Sequence, residues 1–174
     1  MKNRNILISA LSFLRSIACY TLFAFLFVAF FFRPMQISGT SMTPTLHDDD
    51  KVLINVFHNL ISEPQRFDVV VARHDDELWI KRVIGLPGET IQIKDGQILI
   101  DGETYQEDGG FPAIENAGVA ETRVTLGNGE YFVLGDNRNN SEDSRYADMG
   151  NVKKRNIIGK VWFIASPWSR FGFV

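Results

Sequence analysis

From Ile6 to Phe32 the chain runs for 27 residues with one charge, Arg15. A stretch of that length and composition leaves three options: a membrane anchor, a cleavable secretory signal, or a buried core helix. Ile17 to Phe32 alone is 16 uncharged residues rich in Phe, Leu and Ala, short of the roughly 20 that span a bilayer. Arg15 near one end can extend its stem to the headgroups, which lengthens the span upstream. Phe30-Phe31-Phe32-Arg33-Pro34 closes the segment, with proline expected to end the helix. A cleavable signal would need a small-x-small site after the apolar run, and none is there. Length and flanks therefore favour an uncleaved anchor.

Charge supports an orientation. Lys2, Arg4 and Arg15 precede or enter the span and no acid does, against Arg33 just after it. Excess basic residues before a span favour a cytoplasmic N-terminus. The chain carries −3 overall, so with three basic side chains in the first 32 residues the other 142 hold a net −6. That acidic remainder would face outward, and it argues against nucleic acid, which would favour a basic patch. Those 142 residues suffice for one sizeable core. The expected organisation is a cytoplasmic tip and anchor over 1–33 and an extracytoplasmic catalytic domain over 34–174. The lone cysteine, Cys19, lies within the apolar segment and permits no intrachain disulfide.

Beyond residue 34 the pattern is of strands. Lys51 to Val56 and Phe67 to Ala72 are β-branched, bounded runs. Thr90-Ile91-Gln92-Ile93-Lys94 alternates, meets Asp95-Gly96, and is followed by Gln97 to Ile100 and Asp101-Gly102. An Asp-Gly pair between such runs is the strongest short-range hairpin signal. Glu130 to Leu134 and Gly159 to Ile164 are further strands, while polar residues 105–129 read as a surface excursion. The expected fold is mainly β: an antiparallel sandwich or barrel-like domain preceded by one N-terminal transmembrane helix.

Three segments invite a chemical reading. Ser41 lies in Ile37-Ser38-Gly39-Thr40-Ser41-Met42-Thr43-Pro44. Such a run is a plain connector unless something activates the hydroxyl. Its setting is suggestive: Gly39 permits close approach of a substrate, Pro44 stiffens the chain, and backbone N–H groups in the bend can hold an oxyanion. None of the three histidines, His47, His58 and His74, is tied to Ser41 by pattern, and all read as solvated surface residues. Lysine serves instead where burial keeps it neutral. Lys81 sits between Leu78-Trp79-Ile80 and Val83-Ile84, and on a strand it shares a face with Trp79 and Val83. It reads equally as a base or as an edge-strand lysine that deters aggregation.

The third segment, Gly135-Asp136-Asn137-Arg138-Asn139-Asn140-Ser141-Glu142-Asp143-Ser144-Arg145, is dense in polar groups. It is either solvated or a network in which Asp136 and Asp143 pair with Arg138 and Arg145. A calcium loop fails, since Arg138 and Ser141 stand at positions needing a carboxylate and a glycine. No zinc-type spacing occurs, and Leu86-Pro87-Gly88-Glu89-Thr90 lacks the lysine of a phosphate loop. Neither metal nor cofactor is expected. At the C-terminus Trp162 and Phe163 read as core. Trp168, Phe171 and Phe173 lie beyond the last strand, where an interfacial position is the alternative to packing.

Taken in order, the anchor, Ser41-Met42-Thr43-Pro44-Thr45-Leu46, Arg66-Phe67-Asp68-Val69-Val70, Lys81 to Gly88, Gly135-Asp136-Asn137-Arg138 and Ser141-Glu142-Asp143-Ser144-Arg145 resemble bacterial type I signal peptidases. These are membrane-anchored Ser-Lys endopeptidases, and the match is to the compact type without a large accessory domain. The resemblance implies that Ser41 is the nucleophile and Lys81 the general base. It implies that Ser141 orients the lysine amine and that Asp143 and Arg145 form a supporting ionic pair. Ile37 and Met42 beside the serine, with Trp79 and Ile80 beside the lysine, are the expected substrate-binding residues. The implied substrates are secretory preproteins with small residues at the first and third positions before the cut, and membrane lipid is the other expected partner. One departure stands out: some members carry a serine two residues before the nucleophile to help bind the oxyanion, and here that residue is Gly39.

Three further readings share parts of this pattern. A specialised Ser-Lys processing peptidase, for pilin precursors or a conjugation protein, would use the same residues. Self-cleaving repressors share the chemistry but not the anchor. A silent, anchored binding module would have had no need to keep both Ser41 and Lys81.

Overall fold

The computed structural model describes residues 2–57, 61–75, 77–105, 107 and 110–174. His58 lies outside the described residues. Helix α1 covers Lys2–Phe31. At about 1.5 Å per residue its 30 residues reach about 45 Å, more than a bilayer core. Within it Ala10–Val28 is long and apolar enough to cross a membrane, and none of that window is buried in the protein. The proline does not act as the helix stop. Helix α1 gives way directly to β1 (Phe32–Gln36), and Pro34 sits inside that strand opposite Leu53. Its missing N–H is tolerated because β1 is an edge strand.

The rest is antiparallel β structure in two sheets, as expected for the fold class. The larger contains β1, β2 (Lys51–Asn55), β3 (Val69–His74), β4 (Glu77–Gly85), β9 (Glu130–Leu134), β10 (Val152–Lys153), β11 (Ile157–Ser166) and β12 (Gly172–Phe173). Its order is β1-β2-β11-β3-β4-β9-β10, with β12 also paired to β11. The smaller orders β7 (Glu103–Tyr105), β6 (Gln97–Ile100), β5 (Thr90–Lys94) and β8 (Val124–Thr125). Both Asp-Gly turns form as the sequence indicates. Asp95 and Gly96 have φ of 53° and 76°, Asp101 and Gly102 of 53° and 90°, and two consecutive positive φ values are what a tight twisted hairpin needs.

Burial explains the strand composition. Val69 and Val71 enter one apolar cluster with Ile37, Met42, Leu46, Val52 and Ile164. Val70 and Ala72 enter another with Val83, Tyr131 and Val133 on the opposite face. A strand covered on both sides has no polar face, hence the unbroken Val69-Val70-Val71-Ala72 run. A third cluster joins Ile84, Phe132 and Leu134 of the large sheet to Ile91, Ile93 and Ile98 of the small one.

Two expectations need correction. Residues 105–129 are no mere excursion, because Ile114, Ala120 and Leu126 are buried in that third cluster and close it. Trp162 is not core: it is 39% exposed and stacks on Phe32 and Phe173 at 4.8 and 5.2 Å. Along β11 a register shift between Val161 and Phe163 lets both Val161 and Ile164 point into the same apolar cluster, which leaves Trp162 on the outside. Trp168 and Phe173 are more open still.

Pairing within the large sheet leaves a gap that shapes the site. Strand β4 pairs with β3 along Glu77 to Arg82, but with β9 only from Arg82 to Gly85. The edge of residues 77–81 opposite β3 is therefore open. Close packing of β11 on β2 is testable at Gly159, where a Cβ would lie 2.7 Å from Asn55 O and 2.8 Å from Ile54 Cγ2. Gly159→Ala is expected to cost about 1–3 kcal/mol of stability, read as a lowered urea midpoint.

Candidate active site

Ser41 is carried by the loop between β1 and β2. Its neck is closed by Ile37 N–H donating to Asp50 O at 2.8 Å and Asp49 N–H to Ile37 O at 3.0 Å. Above the neck, Thr43 N–H reaches Thr40 O at 3.1 Å and Leu46 N–H reaches Met42 O at 2.9 Å. Ile37, Met42 and Leu46 plug this loop into the core. Apolar side chains at both sides of Ser41 thus pin a segment that would otherwise be free. Gly39 has φ of +94°, a conformation that side chains disfavour, and its N–H donates to Asp48 Oδ1 at 2.9 Å. A serine at this position would be strained here. The Ser41 N–H has no hydrogen-bond partner among the described residues.

Lys81 lies in the middle of β4, 6% exposed. Its backbone pairs with Val70 of β3 and lies where β9 does not reach, but its side chain is buried against the Ser41 loop, so it is not a solvent-facing lysine that deters aggregation. Its Nζ is 2.9 Å from Ser41 Oγ and 5.7 Å from the centre of the Trp79 ring. Trp79 shares its face, as the alternation predicts. Burial pushes the Lys81 amine below the ordinary lysine value; Asp143 and Glu142 pull it back up, and Arg145 adds to the lowering. The carboxylates act through space on an amine that burial largely withdraws from solvent.

The loop after β9 supplies the third side. Asp143 is fully buried and accepts from Arg145 Nε at 2.7 Å and Nη2 at 2.8 Å. Gly135 N–H donates to its Oδ2 at 3.0 Å. Arg145 also reaches Asn116 O and Ser141 O, at 3.1 and 3.2 Å. This two-pronged pair fixes the loop, as expected for Asp143 and Arg145. Ser141 lies in the same cleft, and its hydroxyl bonds to Glu142 O at 3.4 Å rather than to the Lys81 amine.

The pairing expected between Asp136 and Arg138 does not form. Asp136 takes Arg82, with Nε at 2.7 Å and Nη2 at 2.6 Å, and Arg138 takes Glu107. Register decides this. Arg82 stands opposite Leu134 across β4 and β9, so Asp136, two residues on, lies on its side of the sheet.

Three contributors escaped the sequence reading. A Cβ on Gly135 would lie 2.1 Å from Ser141 Oγ and 2.6 Å from Ser41 O, so only glycine lets the two loops meet. Asn137 ties them: its N–H donates to Ser41 O at 3.0 Å and its Nδ2 to Thr40 O at 3.1 Å. Arg82 reaches Thr45 Oγ1 at 3.2 Å from beneath. The only hint in the sequence is a polar Arg beside Lys81 in an apolar run.

Ser41, Lys81 and Ser141 open on one cleft of about 780 Å³. Ile37, Met42 and Ile80 form its floor, at 4, 2 and 8% exposure, and Trp79 stands in its wall. His47 and His74 are partly buried rather than freely solvated, and neither bonds to Ser41; His74 stacks on Trp79 at 4.6 Å. Among the described residues no group of three or more His, Cys, Asp or Glu side chains is arranged to hold a metal ion.

Residues 10–168 match the family described as signal peptidase, peptidase S26. Signal peptidase I S of Bacillus subtilis is 35% identical over 173 residues, covering 92% of this chain and 91% of its own. Signal peptidase I of Bacillus amyloliquefaciens is 33% identical over 172 residues, covering 92% and 90%. Among solved structures, a signal peptidase I from Enterococcus faecalis is 33% identical, covers 58% of this chain and 98% of that one, and has a TM-score of 0.47.

The contact between the two loops yields a test. Gly135→Ala is expected to part Ser41 from the Ser141 loop and cut peptide cleavage about a hundredfold, beyond any loss explained by unfolding. Steady-state assays alongside circular dichroism check it.

Proposed function

The chain belongs to the signal peptidase family, peptidase S26, a peptidase with the function of signal peptidase I; we propose that it cleaves exported preproteins with Ser41 as nucleophile and Lys81 as general base. The observation that carries this is the 2.9 Å approach of Lys81 Nζ to Ser41 Oγ, at a site where burial disfavours the ammonium.

The preprotein lies extended in the cleft and adds main-chain hydrogen bonds to the open edge of β4 at residues 77–81. Beside Ser41 the floor is already filled by Ile37, Met42 and Ile80. Little depth remains, which favours small side chains next to the scissile bond. Neutral Lys81 takes the Ser41 proton as Oγ bonds to the scissile carbonyl carbon. The Ser41 N–H, without a hydrogen-bond partner among the described residues, is the candidate donor to the oxyanion. Gly39, without a hydroxyl, adds nothing there.

The new Lys81 ammonium is eased by Asp143 and Glu142, then protonates the leaving amine as the C–N bond breaks. Water, deprotonated by the same amine, attacks the acyl carbon; the acyl C–Oγ bond breaks and the lysine ammonium returns the proton to Ser41 Oγ. Burial sets the resting state of the lysine, and the nearby carboxylates support its transient charge. Ser141 shares the cleft and its carbonyl is held by Arg145; turning its hydroxyl away from the long 3.4 Å bond to Glu142 O would let it orient the Lys81 amine.

Helix α1 serves as the anchor, with the N-terminus cytoplasmic, residues 1–33 forming tip and span, and residues 34–174 forming the extracytoplasmic catalytic domain. Support comes from the exposed apolar window of the helix and from the exposed rings of Trp162, Trp168, Phe171 and Phe173. Trp162 packs on Phe32, just past the end of the helix, and Phe173 packs on Trp162. Aromatic side chains settle at the headgroup level. Enzyme and preprotein then share one surface, which raises their effective concentration.

Incubation of the full-length protein with a model preprotein, with the cut located by mass spectrometry, tests the function. Ser41→Ala and Lys81→Ala are each expected to lower cleavage by about a thousandfold or more while the fold survives. Lys81→Arg is expected to be as inactive, since guanidinium stays protonated. Because the neutral amine is the working form and its pKa is lowered, kcat/KM should rise with pH and level off below the ordinary lysine range. An active Lys81→Arg enzyme would refute the base assignment.

A further inference from the structure

The C-terminal segment folds back along β11 through β12, and on the way it sets one cation against the loop that carries Ser41. Arg170 Nε donates to Asp50 Oδ2 at 3.1 Å. Its Nη2 donates to Thr45 O at 2.7 Å, with Pro44 O at 3.5 Å. The Asp50 carboxylate is buried, and its other partner is the His47 N–H at 2.8 Å. Asp50 is also the residue whose carbonyl closes the neck of the loop on Ile37. One guanidinium therefore laces the neck to the far side of the same loop.

The neighbours of Arg170 face the other way. Trp168 and Phe171 flank it in sequence, are 82 and 51% exposed, and stack on each other at 4.8 Å. Phe171 in turn packs edge-on against Phe163 at 4.6 Å. A single turn thus turns its rings outward and its charge inward. Arg170 differs from an ordinary surface pair, which contributes little. Its carboxylate partner is withdrawn from water, and its planar fork meets two separate acceptors at once, a geometry that lysine cannot reproduce.

We propose that Arg170 is a positioning residue for the nucleophile, through which the C-terminal aromatic segment holds the Ser41 loop in register with Lys81. The inference rests on the Ser-Lys reading of the site. The loop is held from within by Ile37, Met42 and Leu46, by Asn137 on Ser41 O, and by Arg82 on Thr45 Oγ1. Arg170 takes the same Thr45 by its carbonyl from the outer side. Without it the loop can shift outward from a lysine that does not move with it, because Lys81 is fixed in β4 by its pairing with Val70 of β3 and by the β9 pairing that starts at the next residue, Arg82. Such a shift lengthens the approach of Ser41 to the amine and admits water to a group that otherwise faces Asp143, Glu142, Arg145 and the Trp79 ring.

The test uses the full-length enzyme in vesicles of phosphatidylethanolamine and phosphatidylglycerol. The substrate is an internally quenched peptide with alanine at the first and third positions before the bond. Arg170→Gln is expected to lower kcat about tenfold to a hundredfold, to leave KM within about twofold, and to move the acid limb of the pH profile upward. Arg170→Lys should recover part of the loss in kcat. Asp50→Asn, which keeps the shape of the neck, should show the same signature more weakly, and it carries the test if Arg170→Gln fails to fold. The proposal is overturned if folded Arg170→Gln matches wild type in kcat and acid limb. It is also overturned if activity falls only in step with the unfolded fraction seen by near-ultraviolet circular dichroism, or if Arg170→Gln does not fold and Asp50→Asn is indistinguishable from wild type. Undiminished cleavage by Ser41→Ala in the same assay would instead remove the dyad reading on which the proposal stands.

Discussion

The Lys81 amine is largely withdrawn from bulk water, and the rest of the structure is arranged around that burial. A lysine in the middle of a strand is costly to bury in its charged form, so its surroundings hold it closer to neutral. Neutrality alone does nothing unless a hydroxyl is within reach, and Ser41 Oγ is. The two conditions pull against each other. The loop that brings Ser41 must come close enough to help cover the amine, yet leave a cleft through which an extended chain can enter. Only half of β4 is paired on the side toward β9, and that half-open edge meets both needs.

Three segments far apart in sequence meet at this point, each anchored by a different means. The Ser41 loop is plugged by apolar side chains into the core. Lys81 is held by the sheet itself. The loop after β9 is held by buried ion pairs, Asp143 with Arg145 and Asp136 with Arg82. Such pairs give rigidity and direction more than net stability, since desolvating the charges offsets much of their attraction. Gly135 is where the loops touch, and the absence of a side chain there lets the ion-paired loop press against the main chain of the nucleophile.

Much of the fold was legible in the sequence. Strands β5, β6 and β9 are found within their expected bounds, because alternation and Asp-Gly turns are local signals. What escaped was set by register and tertiary contact. Strand β1 was hidden by Pro34, which reads as a stop but is harmless at an edge. The partner of Asp136 depends on which residue stands opposite Leu134, and no local pattern reveals that. Trp162 looks like core from its neighbours, yet one step along an alternating strand puts it outside. Of the site, Ser41 and Lys81 were ambiguous one at a time, since each is an ordinary residue in an ordinary run. Their order along the chain, through resemblance, joined them before any distance was known. The roles of Gly135 and Asn137 required the distances.

The state of one amine is the most direct test of this account. Lysine labelled with ¹³C at Cε reports protonation at each side chain, and comparison with Lys81→Met assigns the signal. The account predicts that the Lys81 resonance titrates below the ordinary lysine value and that Ser41→Ala shifts its environment. A Lys81 signal that titrates with the exposed lysines, and that ignores the loss of the Ser41 hydroxyl, would contradict it.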